Sequence, residues 1–380
     1  MTSEERHEAR YKRRKAGRET KRQNSISQYD DFERIIDADS LYESFRKSLK
    51  NVSWKESVQR YEARALSNIA ETRRKLITGD NIQKGFVEFT LHERGKIRHI
   101  KSVHFSERIV QKCLCDKVLT PILTRSLIHD NGASIRGKGV HFAVRRLIAH
   151  LRQVCRNNGY SNAGYALVVD FSKFFDSVRH DILFNLLDNH LASKRVNELV
   201  RSFVSVFGDG VSLGLGSQVS QIPAIFFPNI IDHLCKEELR IKNYGRYNDD
   251  LYLIHSDKSY LQYCLDKIQE ACAGIGITLN NKKTQIVKLK DGVNFLKGKY
   301  VLLETGRILR LPGKDSTKRM RRKLKKFKSL IDEGRMNYRN LRESYQSWRG
   351  NYRRRFNACN RVRHMDRLYN SLFIKTTTGG

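Results

Sequence analysis

Three carboxylates carry the first chemical signal in this chain. Asp249 and Asp250 stand side by side in "GRYNDDLYLIHSD" (residues 245–257), and Asp170 ends the apolar run "YALVVD". Adjacent aspartates repel, so each raises the cost of ionising the other unless a positive charge lies close. A lysine or arginine at a surface turn would satisfy such a pair. Asp170 weakens that reading, because a carboxylate closing a buried strand is costly without a partner. If the two strands share a sheet, three oxygen-rich groups meet at one edge. Hard oxygen donors at that density suit Mg2+, which takes the rest of its shell from water and substrate phosphates. Two such ions about 3.5–4 Å apart serve an in-line displacement, activating a 3′-hydroxyl and stabilising the departing pyrophosphate.

The composition says what kind of substrate would meet these groups. Of 380 residues, 73 are Lys or Arg and 40 are Asp or Glu, a formal net charge of +33. An excess of that size favours a polyanion, nucleic acid before anionic membrane. Hydrophobic residues make up 39% and aromatics 9%, enough for a globular chain of two or three structural units. No apolar run reaches the roughly 20 residues of a membrane span, and the N-terminus lacks the apolar segment of a signal peptide. The chain therefore reads as soluble and cytoplasmic, without membrane partners. Cys113 and Cys115 form a C-x-C with no second pair at metal spacing, so the seven cysteines read as buried free thiols and not as zinc ligands or disulfides.

The elements that must position the carboxylates follow from periodicity. Residues 1–28 hold nine Lys/Arg and four Glu, a solvated tail or surface helix, or a basic arm that orders on nucleic acid. Residues 41–76 are amphipathic and helical, and 83–101 read as a hairpin turning at Glu93-Arg94-Gly95. "SERIVQKCLCDKVLTPIL" predicts a helix with Ser106 as N-cap and Pro121 as its stop. "YALVVDF" predicts a strand buried on both faces, followed by a helix through Ile182, Leu183, Leu186, Leu187 and Leu191. A helix is expected over about 218–240, then a hairpin over 245–257 with Asn248-Asp249 at its tip, since both tolerate positive φ. A helix at 260–274 and strands near 284–289 and 299–310 follow. From Asp315 to Arg367 there are 18 Lys/Arg against five acids, interleaved with apolar residues, the pattern of a basic helical subdomain.

With these residues in view the sequence resembles the reverse transcriptases, RNA-directed DNA polymerases. "YNDD" (247–250) is similar to the family's Y-x-D-D, and "VVDFSKFFDSVRHDIL" (168–183) to the motif carrying its first catalytic Asp. "GLGSQVSQIPA", "LNNKKT" and "NFLKG" follow in family order. Upstream, "GKIRHI", "ERIVQKCL" and "RGKGVH" resemble fingers segments of prokaryotic members. The resemblance covers roughly residues 45–350. It implies an α+β right-hand polymerase: a basic tail at 1–29, fingers at 30–160, a palm with an antiparallel sheet at 161–298, and a helical thumb at 299–380.

Residue by residue, the resemblance implies that Asp170, Asp249 and Asp250, with the carbonyl of Phe171, ligate two Mg2+ ions, Mn2+ being a substitute. Lys283 would meet the leaving pyrophosphate. Lys96 and Arg98 would hold the incoming triphosphate, and Phe175 would exclude a 2′-hydroxyl, the alternative being an ordinary core aromatic. Leu215, Gly216 and Gln221 fall in the nucleotide-contacting segment. Arg136, Lys138 and His141 would border the template, Phe295 and Leu296 would form a primer-grip hairpin, and Trp348, Arg353 and Arg354 would grip the duplex. Lys297 stands where the family has Gly, which puts that turn's geometry in question. Core packing is the competing role for Trp348.

"GLGSQVSQ" lacks the Pro-Gln-Gly of many members. In this it is similar to diversity-generating-retroelement and defence-associated or unclassified bacterial reverse transcriptases, and Leu215 in the Gln position implies looser base discrimination. The implied partners are deoxynucleoside triphosphates, an RNA/DNA duplex and a structured non-coding RNA. An accessory protein, a second polymerase and self-association are compatible with the resemblance. The chain's end soon after residue 373 leaves no expected room for RNase H, DNA-binding or endonuclease domains. Antiphage defence is the favoured role and mutagenic diversification the alternative. From other classes, the rivals are a catalytically idle RNA-binding protein on a polymerase scaffold and an RNA-templated RNA polymerase.

Overall fold

A strand with apolar side chains on both faces needs a layer on each side, and Tyr165–Asp170 obtains both. In the computed structural model, which describes residues 2–93, 96–313 and 316–374, nine strands are numbered in chain order. They are β1 (Phe86–Glu93), β2 (Lys96–Val103), β3 (Tyr165–Asp170), β4 (Asn243–Tyr247), β5 (Asp250–His255), β6 (Gln285–Lys288), β7 (Val293–Phe295), β8 (Gly298–Leu302) and β9 (Ile308–Pro312). The central sheet runs β4-β5-β3-β6, antiparallel throughout.

Side chains alternate across this sheet. Leu167, Val169, Leu251 and Leu253 join the larger core, together with Leu261, Cys264 and Ile268 of the Lys258–Gly274 helix. Ala166, Val168, Tyr252 and Ile254 join a second core, together with Leu147 and Leu151 of the Val140–Asn157 helix. The register pairs Asp170 with Asp250, so β3 and β5 end their carboxylates at the same edge. A one-residue slip would turn every core side chain of one strand to the wrong face.

The β1–β2 hairpin forms as expected; its tip, Arg94-Gly95, lies outside the described residues. The basic N-terminus is a 27-residue helix, Ser3–Tyr29, opened by a Thr2/Glu5 capping box. Arg18 ties it to Glu237 through two bonds of 2.5 and 2.9 Å, so this helix is docked. The strand expected at 299–310 is two, β8 and β9, joined by a turn in which Leu303 N–H donates to Arg307 O. The last three helices, Ser316–Asp332, Tyr338–Arg355 and Cys359–Phe373, enclose their own core of Met320, Leu324, Leu341, Tyr345 and Met365.

Two helix boundaries differ from expectation. Ser106 is not an N-cap; His104 is, its ring accepting from Ser106 N–H. Pro121 does not stop the helix, because a wide π-turn at Cys115–Leu119 precedes it and Pro121 sits in the first turn of Thr120–Leu123, where its missing N–H costs little. The helix expected at 218–240 is broken into Gln221–Phe226 and Asn229–His233 at Pro228. Six cysteines are buried and unpaired and Cys359 is exposed. Among the described residues no helix is long and apolar enough to cross a membrane.

Candidate active site

The turn joining β4 to β5 is two residues long, and its backbone explains its sequence. Asn248 takes a left-handed φ of 53°, a region that Asn enters at small cost; Asp249 does not share it. Asp249 O accepts from Phe171 N–H at 3.2 Å, which ties the turn to the end of β3. Asp170 is 4% exposed. Both of its oxygens lie 2.6 Å from Lys283 Nζ, and Oδ1 also accepts from Asn280 Nδ2 at 3.1 Å. Asn280 N–H donates to Asp170 O at 2.8 Å, so one asparagine holds both the backbone and the side chain of that aspartate.

Asp250 is pushed up to about 7, first by burial, then by the charges of Asp249 and Asp170, with a hydrogen bond to Asp170 acting the same way. Among the described residues no three His, Cys, Asp or Glu side chains enclose a metal ion by themselves. The donor chemistry nonetheless fits a hard divalent cation. Such an ion needs only one or two carboxylates when water and phosphate complete its shell, and its charge would favour the ionised form of Asp250 against the burial and the neighbouring carboxylates that raise it.

A cleft of about 680 Å3 opens beside this edge. Arg98, Asp170, Phe175, Leu215, Asp249 and Lys283 all line it, as does Phe171. The remaining expected residues with described side chains do not line it. Lys96 begins β2, but its side chain lies outside the described residues. Gln221 is exposed at the start of its helix and does not line the cleft. Gly216 has a packing role. At φ 124°, a Cβ there would stand 2.5 Å from the carbonyl oxygen of Lys101. The absence of a side chain lets β2 approach, and Lys101 N–H donates to Leu215 O at 3.1 Å.

Lys138 is turned inward, donating to the carbonyls of His129 (2.8 Å) and Asn131 (3.1 Å) over the Phe142 ring. Arg136 is exposed. His141 is held below its ordinary range, by burial first and then by the charges of Arg354, Arg355 and Arg145. The first turn of the Val140–Asn157 helix and the Tyr338–Arg355 helix are therefore close, while Arg353 and Arg354 are exposed on the latter. Phe295 is buried edge-to-face against Tyr252. Leu296 and Lys297 form the β7–β8 turn with φ of 46° and 68°, positive at both despite lacking glycine. Arg355 Nη2 donates to Leu296 O at 2.6 Å and clasps that turn. Trp348 stacks on Tyr345 at 5.8 Å and tilts against Tyr352 at 4.9 Å, the packing role.

Several supporting residues were not singled out by sequence reading. Asn280 is one. Gln111, fully buried, is another; its Oε1 accepts from Ser217 Oγ and Gln218 N–H and so holds the loop bearing Leu215. Arg246 and Asp232 are a third case. A carboxylate in the apolar run "FFPNIIDHLC" demands a buried partner, which is the signal that could have located them.

No curated protein matches the chain. Among solved structures, it is similar to telomerase from Candida albicans in complex with a TWJ fragment of telomeric RNA, at 14% identity and a TM-score of 0.47, over 66% of this chain and 51% of that one. Apo telomerase from Candida tropicalis, truncated from the C-terminal domain, aligns at 13% identity and a TM-score of 0.46, over 64% and 60%. The chain thus spans little more than half the length of these structures. Residues 82–298, more than half of the sequence and the stretch holding all three aspartates, match the reverse transcriptase (RNA-dependent DNA polymerase) family, and the chain belongs to it.

Proposed function

We propose that this protein synthesises DNA on an RNA template. The observation that carries the proposal is the meeting of Asp170 with Asp249 and Asp250 at one sheet edge, beside a cleft that also holds Arg98, Phe175 and Lys283. Asp170, Asp249 and Asp250, with the Phe171 carbonyl, would hold the divalent cations, read as two Mg2+. When bound, such ions supply Lewis acidity to the attacking 3′-hydroxyl and neutralise phosphate charge.

The chain's own side chains divide the remaining work. Lys283 balances Asp170 across 2.6 Å. From there its ammonium can meet the charge of departing pyrophosphate, as counter-charge or general acid. Arg98 presents a fork suited to the triphosphate. Phe175 walls the sugar side of the cleft, where its ring excludes a 2′-hydroxyl; its carbonyl is held by Leu213 N–H at 2.8 Å. The basic helices after residue 316 suit duplex phosphates. The division into a tail at 1–29, fingers at 30–160, palm at 161–298 and thumb at 299–380 belongs to this proposal. So do a dedicated structured RNA as template and a role in antiphage defence, with mutagenic diversification as the alternative.

The test is to purify the protein from cells beside Asp249→Ala/Asp250→Ala and to sequence all bound RNA and DNA. One dominant RNA in both samples, with complementary DNA only in the wild type, is the expected result. RNA without any aspartate-dependent DNA would favour the idle binding scaffold.

A further inference from the structure

The side chains of Arg246 and Asp232 are both fully buried. Arg246 Nε donates to Asp232 Oδ1 at 2.7 Å and Nη2 to Oδ2 at 2.6 Å, a bidentate pair; Tyr244 Oη adds a bond to Oδ1 at 2.5 Å. Nη2 also reaches Ile225 O at 2.8 Å. Stability alone is a poor reason to keep such a pair, since a buried ion pair is often no better than well-packed apolar residues of similar volume. The remaining guanidinium nitrogen shows another use. Nη1 donates to Asn248 O at 3.1 Å.

That carbonyl belongs to the peptide joining Asn248 to Asp249. The next peptide is held as well, because Asp249 O accepts from Phe171 N–H. Both peptide planes flanking Asp249 are therefore fixed, one by a guanidinium and one by the end of β3. With ω planar, fixing the two planes fixes the Cα–Cβ direction of Asp249. Arg246 is itself immobilised: its N–H donates to Asp130 O at 3.2 Å and its carbonyl accepts from Gly132 N–H at 2.9 Å.

We propose that Arg246, oriented by Asp232, is a positioning residue that sets the direction of the Asp249 carboxylate through the Asn248 carbonyl. The inference rests on the polymerase reading of the Asp170–Asp249–Asp250 edge. A guanidinium is required because its rigid fork grips Asp232 with one edge while Nη1 reaches the turn; a lysine offers a charge without that geometry. A misplacement of about 1 Å at a reacting group can cost about a hundredfold in rate.

The test compares full-length wild type, Arg246→Lys, and Val200→Ala, a fully buried core truncation that destabilises the fold without entering the site. Four quantities are read: kcat and KM for dNTP on a primed RNA template, the Kd of Mn2+ in the absence of nucleotide, and Tm. The Mn2+ signal assigned to the turn is the part lost in Asp249→Asn. For Arg246→Lys the expected result is a kcat lower by about 10- to 100-fold, a dNTP KM within about twofold, and weaker Mn2+ binding. Val200→Ala should lose Tm and keep the other three values.

Arg246→Lys with wild-type kcat and Mn2+ affinity would overturn the inference. So would a Val200→Ala that loses as much activity at matched Tm. If Arg246→Lys does not fold, Asp232→Asn/Arg246→Gln removes the pair as a unit and carries the same comparison. A wild type that incorporates no nucleotide would sink the polymerase reading instead, while Mn2+ binding still reports on how the turn is held.

Discussion

Gly216→Ala is a perturbation whose consequence can be worked from distances. A Cβ at residue 216 would sit 2.5 Å from Lys101 O, against an ordinary contact near 3.4 Å. Strand β2 must therefore retreat by about 0.9 Å, which opens the Lys101 N–H to Leu215 O bond from 3.1 Å to about 4 Å and breaks it. The φ of 124° adds strain of about 1–3 kcal/mol for any residue with a Cβ. Arg98 lies three residues earlier on β2 and lines the cleft, so it moves with the strand. Losing part of a charge-assisted contact, about 1.4 kcal/mol, weakens dNTP binding about tenfold. Single-turnover incorporation across dNTP concentrations separates binding from chemistry. Apparent Kd should rise about five- to tenfold, with the maximal rate within about threefold, because Asp170 and Asp249 are untouched. Gly79→Ala is the control: its φ of 77° carries similar strain, but a Cβ there meets nothing within 4 Å. An unchanged Kd in Gly216→Ala, or an equal rise in Gly79→Ala, would refute the reasoning.

Other outcomes follow from the same geometry. Phe175→Val should admit ribonucleotides, reducing dNTP over rNTP selectivity by at least about tenfold in primer extension; unchanged selectivity would make Phe175 a wall and not a gate. Asn280→Ala removes the Nδ2 bond to the Asp170 carboxylate, leaves the backbone N–H bond to Asp170 O in place, and should lower kcat about tenfold with little change in Tm. His150, hydrogen-bonded to Tyr252 and facing Asp130, Arg146, Lys236 and His129, is lowered by burial to about 4. Because its folded pKa lies below the unfolded value of 6.5, the unfolded chain binds the extra proton. Its contribution of about 3 kcal/mol is whole above pH 6.5 and lost as pH falls toward 4. Urea unfolding at pH 7 and pH 4.5 should show a smaller decline in His150→Gln than in wild type, and equal declines would remove His150 as the cause.

The aspartate-bearing edge was legible because its signals are local. A β-branched run ending in Asp and a Tyr-Asn-Asp-Asp turn each announce strand and turn, and antiparallel pairing then leaves one register that buries both faces. What sequence reading missed depends on distant partners. Arg246 reads as one more cation among 73 until Asp232 is found beside it. Gly216 reads as a nucleotide contact, yet its conformation answers to Lys101, more than a hundred residues earlier. Trp348 offers an indole to either a duplex or a core, and its contacts with Tyr345 and Tyr352 depend on a helical packing that spacing alone does not reveal. Pro121 carries a true stop signal that the π-turn before it cancels.

The most direct measurement is extension of a primed RNA template with dNTPs and Mg2+ by wild type and by Asp249→Asn/Asp250→Asn, an exchange that keeps side-chain size while removing charge. RNA-templated DNA of template length from the wild type, and at least about a thousandfold less from the variant, is the predicted result. Equal synthesis by both proteins, or none by a folded, RNA-binding wild type, would contradict it.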